Sequence, residues 1–282
     1  MTTPSTPPRT ALITGCSSGI GAALAAELLR RGWRVIATAR RPERLQALAD
    51  AGARPMALDV DDAASIAALA GTLQAEGLAL DLLVHNAGYG QFGAVLDVPP
   101  EAWRRQFDTN VVAPVAVTQA LLPCLERAAP RACVAHIGSV SGVTTTPFAG
   151  AYCASKAALH ALAEAMRMEL APLGIAVVTV QPGGIVSGFG ETGTDHVVLP
   201  EGSRYAPIAK SILNRARASQ RGATPTADFV RGLAEHLVQD RPGPLYRAGA
   251  NSARLVWLKR LLTTSQLDRR LSALFGLDRL RP

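Results

Sequence analysis

Thr14-Gly15-Cys16-Ser17-Ser18-Gly19-Ile20-Gly21, residues 14–21, joins an apolar run to an Ala- and Leu-rich one. Residues 10–14 (TALIT) read as a strand and residues 20–31 as a helix. Glycine belongs where a chain turns sharply from strand into helix and must let a ligand approach its backbone. The helix N-terminus adds unpaired N–H groups and the positive end of the helix dipole, which suit a phosphate. Gly15, Ser17, Ser18, Gly19, Ile20 and Gly21 therefore read as a pyrophosphate cradle, with hydroxyl donors from the two serines. The glycines are spaced GxxxGxG, not the GxGxxG of other dinucleotide folds.

The same alternation continues outward. Residues 34–39 (RVIATA), 55–58, 82–85, 133–137 and 175–180 read as further strands, and residues 42–51, 61–76, 103–125 and 151–173 as helices. Continuous apolar strands alternating with helices call for right-handed crossovers and a parallel sheet covered on both faces. After Pro182 the period is lost, and residues 183–207 read as a mobile loop. Helices at 208–221 and 226–239, a last strand at 244–247 and a basic amphipathic tail at 255–280 follow. The division expected is a flexible leader (1–8), a dinucleotide-binding catalytic domain (9–250) and a C-terminal extension (251–282) packed on that same domain.

With 48% hydrophobic and 18% charged residues, the chain can bury a large core, which excludes disorder over most of its length. No uninterrupted apolar run of about 18 residues occurs, so no membrane span is expected. Met1 to Thr10 lacks the apolar core of a secretion signal. Cys16, Cys124, Cys133 and Cys153 lack metal or redox spacing and read as free thiols in a reducing cytoplasm. No histidine pair has metal-ligand spacing, and no metal is expected. Residues 201–282 carry 15 Lys/Arg against 6 Asp/Glu, so the net charge of +7 arises in the C-terminal region. That excess suits a solvated surface, anionic substrate groups or lipid head groups. Nucleic acid is not an expected partner, for want of a recognition module.

Chemistry gathers at the strand ends. Residues 39–41 (Ala-Arg-Arg) end the second strand with guanidinium groups where an acidic residue would select NAD. Arg40, and behind it Arg41, suit a 2′-phosphate, so NADP(H) is the expected cofactor. Asp59, with Val60 beside it, is placed to accept from an adenine amino group. Asn86, Ala87 and Gly88 would form the far wall of the cleft. Tyr152 and Lys156 stand four residues apart, one turn apart on one helix face. Lowering a phenol by about 3 pKa units takes roughly 4 kcal/mol, which a Lys156 ammonium and a nicotinamide charge would supply. Tyr152 is then the acid in ketone reduction and the base in alcohol oxidation. Ser139 would hold the substrate oxygen, with Ser141 a weaker rival. Pro114 has no N–H, so the Asn110 carbonyl loses its helical partner; a water there would relay protons from Lys156.

Residues 14–21, Asn86-Ala87-Gly88, Asn110, Ser139, Tyr152-x3-Lys156 and Pro182-Gly183 together resemble the ordered motif set of the short-chain dehydrogenase/reductase family. The resemblance implies a Rossmann-like doubly wound α/β sheet of about seven strands and an Asn-Ser-Tyr-Lys tetrad. It also implies that Lys156 touches the nicotinamide ribose, with Pro182, Gly183, Ile185 and Ser187 beside the nicotinamide, and a homodimer or homotetramer. His85 stands where the family often has Asn. The sequence GCSSGIG with ATAR resembles the branch reducing steroids, retinoids and acylated glycerone phosphates. The expected function is NADP-dependent interconversion of a carbonyl and an alcohol on a lipophilic substrate. The alternatives are a small polar keto substrate or a non-catalytic NADP sensor. His160 is expected to serve packing or an oligomer contact and His136 to be a satisfied core residue, while His196 in the loop is the weaker candidate for a substrate contact, with an ordinary loop role favoured. The apolar side chains after Ser187 suggest a lid. The tail leucines suggest a helix docked on the core or on a partner subunit, with peripheral membrane contact as the sharper alternative.

Overall fold

A computed structural model describes residues 8–280, apart from the side chains of residues 190–192. Residues 1–7 of the expected leader (1–8) lie outside the described residues. Strands β1 (Thr10–Ile13), β2 (Arg34–Ala39), β3 (Arg54–Ala57), β4 (Leu82–His85), β6 (Cys133–Ile137), β7 (Ala176–Pro182) and β9 (Leu245–Ala248) form one sheet, with β5 (Phe92–Gly93) and β8 (Val197–Val198) in a small second one. The large sheet has the order β3-β2-β1-β4-β6-β7-β9. Every neighbouring pair is parallel. The chain winds outward through β3, returns across the sheet and resumes at β4, so β1 and β4 flank the topological switch point where open α/β sheets bind ligands.

The strands alternate between two apolar layers. Ala11 and Ile13 face a core shared with Leu24 and Leu28 of α1 (Gly19–Arg30) and Phe229 and Leu233 of α9 (Thr226–Leu237). Leu12 faces the other core, with Leu69 and Leu73 of α3 (Ala63–Ala75), Leu121 and Leu125 of α5 (Ala113–Ala128) and Ala163 of α6 (Gly150–Leu170). Burial on both faces explains why the strands read as unbroken apolar runs. Helix α1 buries Gly21, Leu24, Ala25 and Leu28 as one stripe, and Gly32 at φ +82° ends it in the left-handed region that favours glycine.

Four expectations are refined. Residues 42–51 are a 3-10 turn, Pro42–Leu45, followed by the short α2 (Gln46–Asp50). The long helix divides into α4 (Pro100–Phe107), a π turn (Asp108–Val112) and α5. Pro114 cannot donate to Asn110, and the backbone shifts register, so that the Ala113 N–H donates to the Asp108 carbonyl. The stretch Pro100–Ala128 is long and apolar enough to cross a membrane by length and composition, but Val117, Leu121, Cys124 and Leu125 are committed to the core. Residues 183–207 are not simply a loop: they hold α7 (Phe189–Asp195) and β8, which pairs in parallel with β5. Beyond lie α8 (Ala209–Arg217), α10 (Ser252–Leu261) and α11 (Thr264–Leu274). The Leu255 carbonyl accepts from Thr144 Oγ1 at 3.1 Å and Lys259 Nζ donates to the Val143 carbonyl at 2.6 Å, tying α10 to the rim of the sheet.

Candidate active site

A cavity of about 1340 Å³ opens at the carboxyl ends of the strands, larger than the roughly 300–1,000 Å³ of a single-ligand pocket. One half is built on the turn after β1. Gly15 (φ +71°) and Gly19 (φ +61°) both need the left-handed region. Asn86 clamps the turn from below, its Nδ2 donating to the carbonyls of Thr14 and Gly15 at 2.9 Å each. Thr14 Oγ1 accepts from the backbone N–H groups of Asn86 and Ala87 at 3.0 and 2.9 Å. Ser17 and Ser18 are exposed at the N-terminus of α1, which has neither a side-chain cap nor an acidic residue in its first turn. Unspent N–H groups at the mouth of a side-chain-free turn fit the pyrophosphate of a dinucleotide.

Gly21 does not line the cavity. A Cβ there would collide with the Asn86 amide and lie 2.5 Å from the Gly15 carbonyl oxygen. Helix propensity favours Ala over Gly by about 1 kcal/mol, whereas overpacking against backbone costs about 1–3 kcal/mol, so the collision wins. Gly21→Ala is expected to lower thermal stability and weaken dinucleotide binding together. A variant at least as stable as the parent that binds as tightly would show that the clamp is slack.

Arg40, Asp59 and Val60 line the same half. Arg40 is exposed, and no carboxylate among the described residues lies within ion-pair distance of it. Arg41 is exposed but does not line the cavity, so of this pair Arg40 is the one that faces it. Ala87, Gly88, Pro182, Gly183, Ile185 and Ser187 line it as well. Gly183 has no room for a Cβ against the Ala250 carbonyl, and a Cβ on Gly19 would lie 3.5 Å from Ser187 Cβ, so the segment after β7 faces the glycine turn. These residues together fit a nicotinamide dinucleotide.

The floor of the cavity carries the proton-handling groups. Ser139 caps a 3-10 turn, its Oγ accepting from the Ser141 N–H at 3.0 Å. Tyr152 and Lys156 lie one turn apart on the buried face of α6. Lys156 Nζ donates to the Ile137 carbonyl at 2.7 Å, and burial brings the amine down to about 8. Asn110 is buried and does not line the cavity. Its Nδ2 donates to the Tyr89 carbonyl and to Ser155 Oγ, at 3.1 Å each, and its Oδ1 accepts from the Tyr89 N–H at 3.3 Å. A Cβ on Gly88 would lie 2.9 Å from Asn110 Oδ1 and 3.7 Å from Lys156 Nζ, so both side chains converge behind Gly88.

Several expectations about these groups are corrected. In the dinucleotide-free protein the Tyr152 phenol is not lowered: burial, the largest cause, pushes it up to about 12, with the side chain of Ser139 and the charge of Arg215 acting downward. His160 is not remote from this site. Its Nε2 accepts from the Ser139 N–H at 3.4 Å, and burial takes its ring down to about 4. His136 is not satisfied: neither ring nitrogen has a hydrogen-bond partner among the described residues, and it stacks on His85 at 4.9 Å. His85 itself bonds Thr118 Oγ1 at 2.8 Å. All four cysteines are buried free thiols.

The other half of the cavity is lined by aromatic and aliphatic side chains together with Arg215, Arg254 and Arg270. Phe92, Phe189 and Tyr152 pack as a cluster, with ring centroids 5.4–6.5 Å apart. His196 lines this side and packs on Tyr89, with ring centroids 4.6 Å apart and the planes tilted by 42°. Leu258, Leu262, Leu267 and Leu271 of the tail also line it. Sequence reasoning missed Arg215, whose guanidinium lines the cavity although the residue is only 7% exposed. One signal was there: Arg215 falls on the Ile212–Ala216 stripe that α8 buries.

A sequence profile of the short chain dehydrogenase family matches residues 9–196. The chain is 35% identical over 260 residues to the short-chain dehydrogenase PC-15 of Penicillium crustosum, covering 90% of this chain and 93% of that one. It superposes with a TM-score of 0.78 on the crystal structure of a short-chain dehydrogenase from Streptomyces avermitilis, at 29% identity, covering 96% of this chain and 98% of the other. A metagenomic short-chain oxidoreductase crystallised with NADP matches at 30% identity and a TM-score of 0.65, covering 84% of this chain and 95% of that one. With the doubly wound sheet, the glycine turn and the Tyr152–Lys156 pair, these likenesses make the chain a member of the short-chain dehydrogenase/reductase family of NAD(P)-dependent oxidoreductases.

Proposed function

We propose that this protein is an NADP(H)-dependent reductase of lipophilic ketones or aldehydes, with Tyr152 as its proton donor. The observation that carries the reading is one cavity holding Arg40 at its nucleotide end, Tyr152 and Ser139 at its floor and the tail leucines along its far side. When bound, NADPH would supply the hydride. Ser139 Oγ would hold the carbonyl oxygen, and Tyr152 would give it a proton as negative charge builds there. Lys156, with one N–H spent on the Ile137 carbonyl, has others to hold the ribose and to return a proton to the phenol. Asn110 would brace the Tyr89 backbone beside this path, its main-chain carbonyl a place for a relay water. Phe189 and the tail helices would keep bulk water from the reacting carbonyl.

The choice of NADP over NAD rests on Arg40, which faces the cavity without a carboxylate partner. A guanidinium on a phosphate is a charge-assisted and often bidentate bond, about 1.5–3 kcal/mol. Following NADPH and NADH consumption across a panel of long-chain, steroid and small polar carbonyls tests cofactor and substrate class together. Arg40→Ser is expected to lower kcat/KM for NADPH about ten- to a hundredfold and to leave NADH nearly unchanged. Equal use of both cofactors by the parent would overturn the NADP assignment, and turnover of the polar compounds alone would overturn the lipophilic one.

A further inference from the structure

We propose that Arg215 is an acid-recognition residue: the lipophilic carbonyl compound taken by this site carries a carboxylate, so the substrate class is an oxo acid with an apolar chain. This rests on the reading of the cavity as a carbonyl-reducing site. Arg215 is more than nine-tenths buried and lines the cavity. Its guanidinium lies over Phe92, 5.4 Å from the ring centroid, and over Phe275, 5.9 Å away. Nε is spent on Thr146 Oγ1 at 2.7 Å. The other groups that act on it are the Cys153 thiol and the Tyr152 phenol. No ion pair to Arg215 occurs among the described residues.

A buried cation without a counter-ion is costly and is not kept for stability, since an apolar side chain of like volume would serve better. The aromatic faces stabilise it partly and hold its plane fixed. With Nε bonded to Thr146 and one guanidinium hydrogen bond shared with the Cys153 thiol, the terminal nitrogens keep further N–H groups, and a planar guanidinium matches a carboxylate. The placement fits such a ligand. Phe92 touches both the guanidinium and the Tyr152 ring, so an acid on Arg215 sits beside the carbonyl that Tyr152 would protonate. Phe275 joins Arg215 to the tail, whose leucines continue the cavity for an apolar chain.

Two measurements on the NADPH-loaded enzyme separate this proposal from the activity it rests on. The first is calorimetric titration with decanoate and with methyl decanoate, which needs no turnover. The parent is expected to bind the acid at least tenfold more tightly than the ester, and Arg215→Met to lose that preference while still binding the ester. The second is reduction of 2-oxo-, 4-oxo- and 5-oxodecanoate beside their methyl esters. Here Arg215→Met is expected to raise KM for the best acid ten- to a hundredfold while KM for the ester changes little, and Arg215→Lys to restore part of it. Equal binding of acid and ester by the parent overturns the proposal. So does a variant that loses kcat on acids and esters alike with a pH profile moved upward, since Arg215 would then serve the phenol. If acids bind selectively but no carbonyl is reduced, the recognition stands and the reductase reading fails.

Discussion

Tyr152→Phe is expected to lower kcat for carbonyl reduction by a factor of about 10²–10⁴, the usual range for losing a positioned proton donor. NADPH affinity should stay within about twofold. The substitution removes one hydroxyl and keeps the ring, which packs 5.4 Å from Phe189 and 6.0 Å from Phe92, so the cavity wall survives. The phenol also carries a spectroscopic signature. In the dinucleotide-free protein burial holds it at about 12, so the latest increment of the tyrosinate band in an alkaline titration of the parent should be missing from the variant, which keeps its three other tyrosines. With NADP+ bound, an added positive charge beside the phenol should bring that band to lower pH. A variant that keeps more than a tenth of parental kcat sinks the assignment of Tyr152 as proton donor. An unmoved band would mean that the bound dinucleotide does not lower the phenol, and the activation argument would lose its electrostatic source.

The gap between the expected and the actual phenol shows what a sequence can carry. Spacing places Tyr152 and Lys156 on one face of α6, because helical period is a local property. It cannot say how deeply that face is buried, nor that Lys156 Nζ turns toward the Ile137 carbonyl. The strands were legible for the same local reason: TALI, LLVH and CVAHI are buried at every residue. The two-residue ladder of β5 and β8 was not, since its pairing rests on contacts about a hundred residues apart. The glycine turn was legible as a strand-to-helix turn, and Asn86, expected as a wall of the cleft, lines the cavity and also clamps the turn from beneath with its amide. Pro114 did announce a break at Asn110, and the chain answers it with a π turn. Arg215 was passed over because an arginine in a basic region reads as surface. Only packing shows it beneath Phe92 and Phe275.

Acid should unfold this protein by way of its buried histidines. Burial is the first cause in all three: it lowers His136 to about 3, His160 to about 4 and His85 well below its usual value. The charged neighbours push the same way, Lys156 on His136 and His160, and Arg247 on His160. Above pH 6.5 these rings are neutral in both the folded and unfolded chain and contribute nothing to the pH dependence. Below it the unfolded chain takes up protons that the folded one refuses, so stability falls with pH until each folded pKa is reached. Each unit of difference is worth about 1.4 kcal/mol, so His136 and His160 together ask for about 4 kcal/mol at pH 5, a large share of the 5–15 kcal/mol of a typical domain, and His85 acts in the same direction. Urea unfolding should therefore show a steep loss between pH 6.5 and pH 5. His136→Leu isolates one share of it, because neither nitrogen of that ring has a partner among the described residues to lose and Leu suits a fully buried strand position. The variant is expected to match or exceed the parent at pH 7.5, where two unpaired polar atoms are gone, and to lose stability less steeply below pH 6.5 by about one proton's worth. Identical slopes for parent and variant would mean that His136 takes up its proton within the folded protein, and that the His85–His136 stack is an open site rather than a dry one.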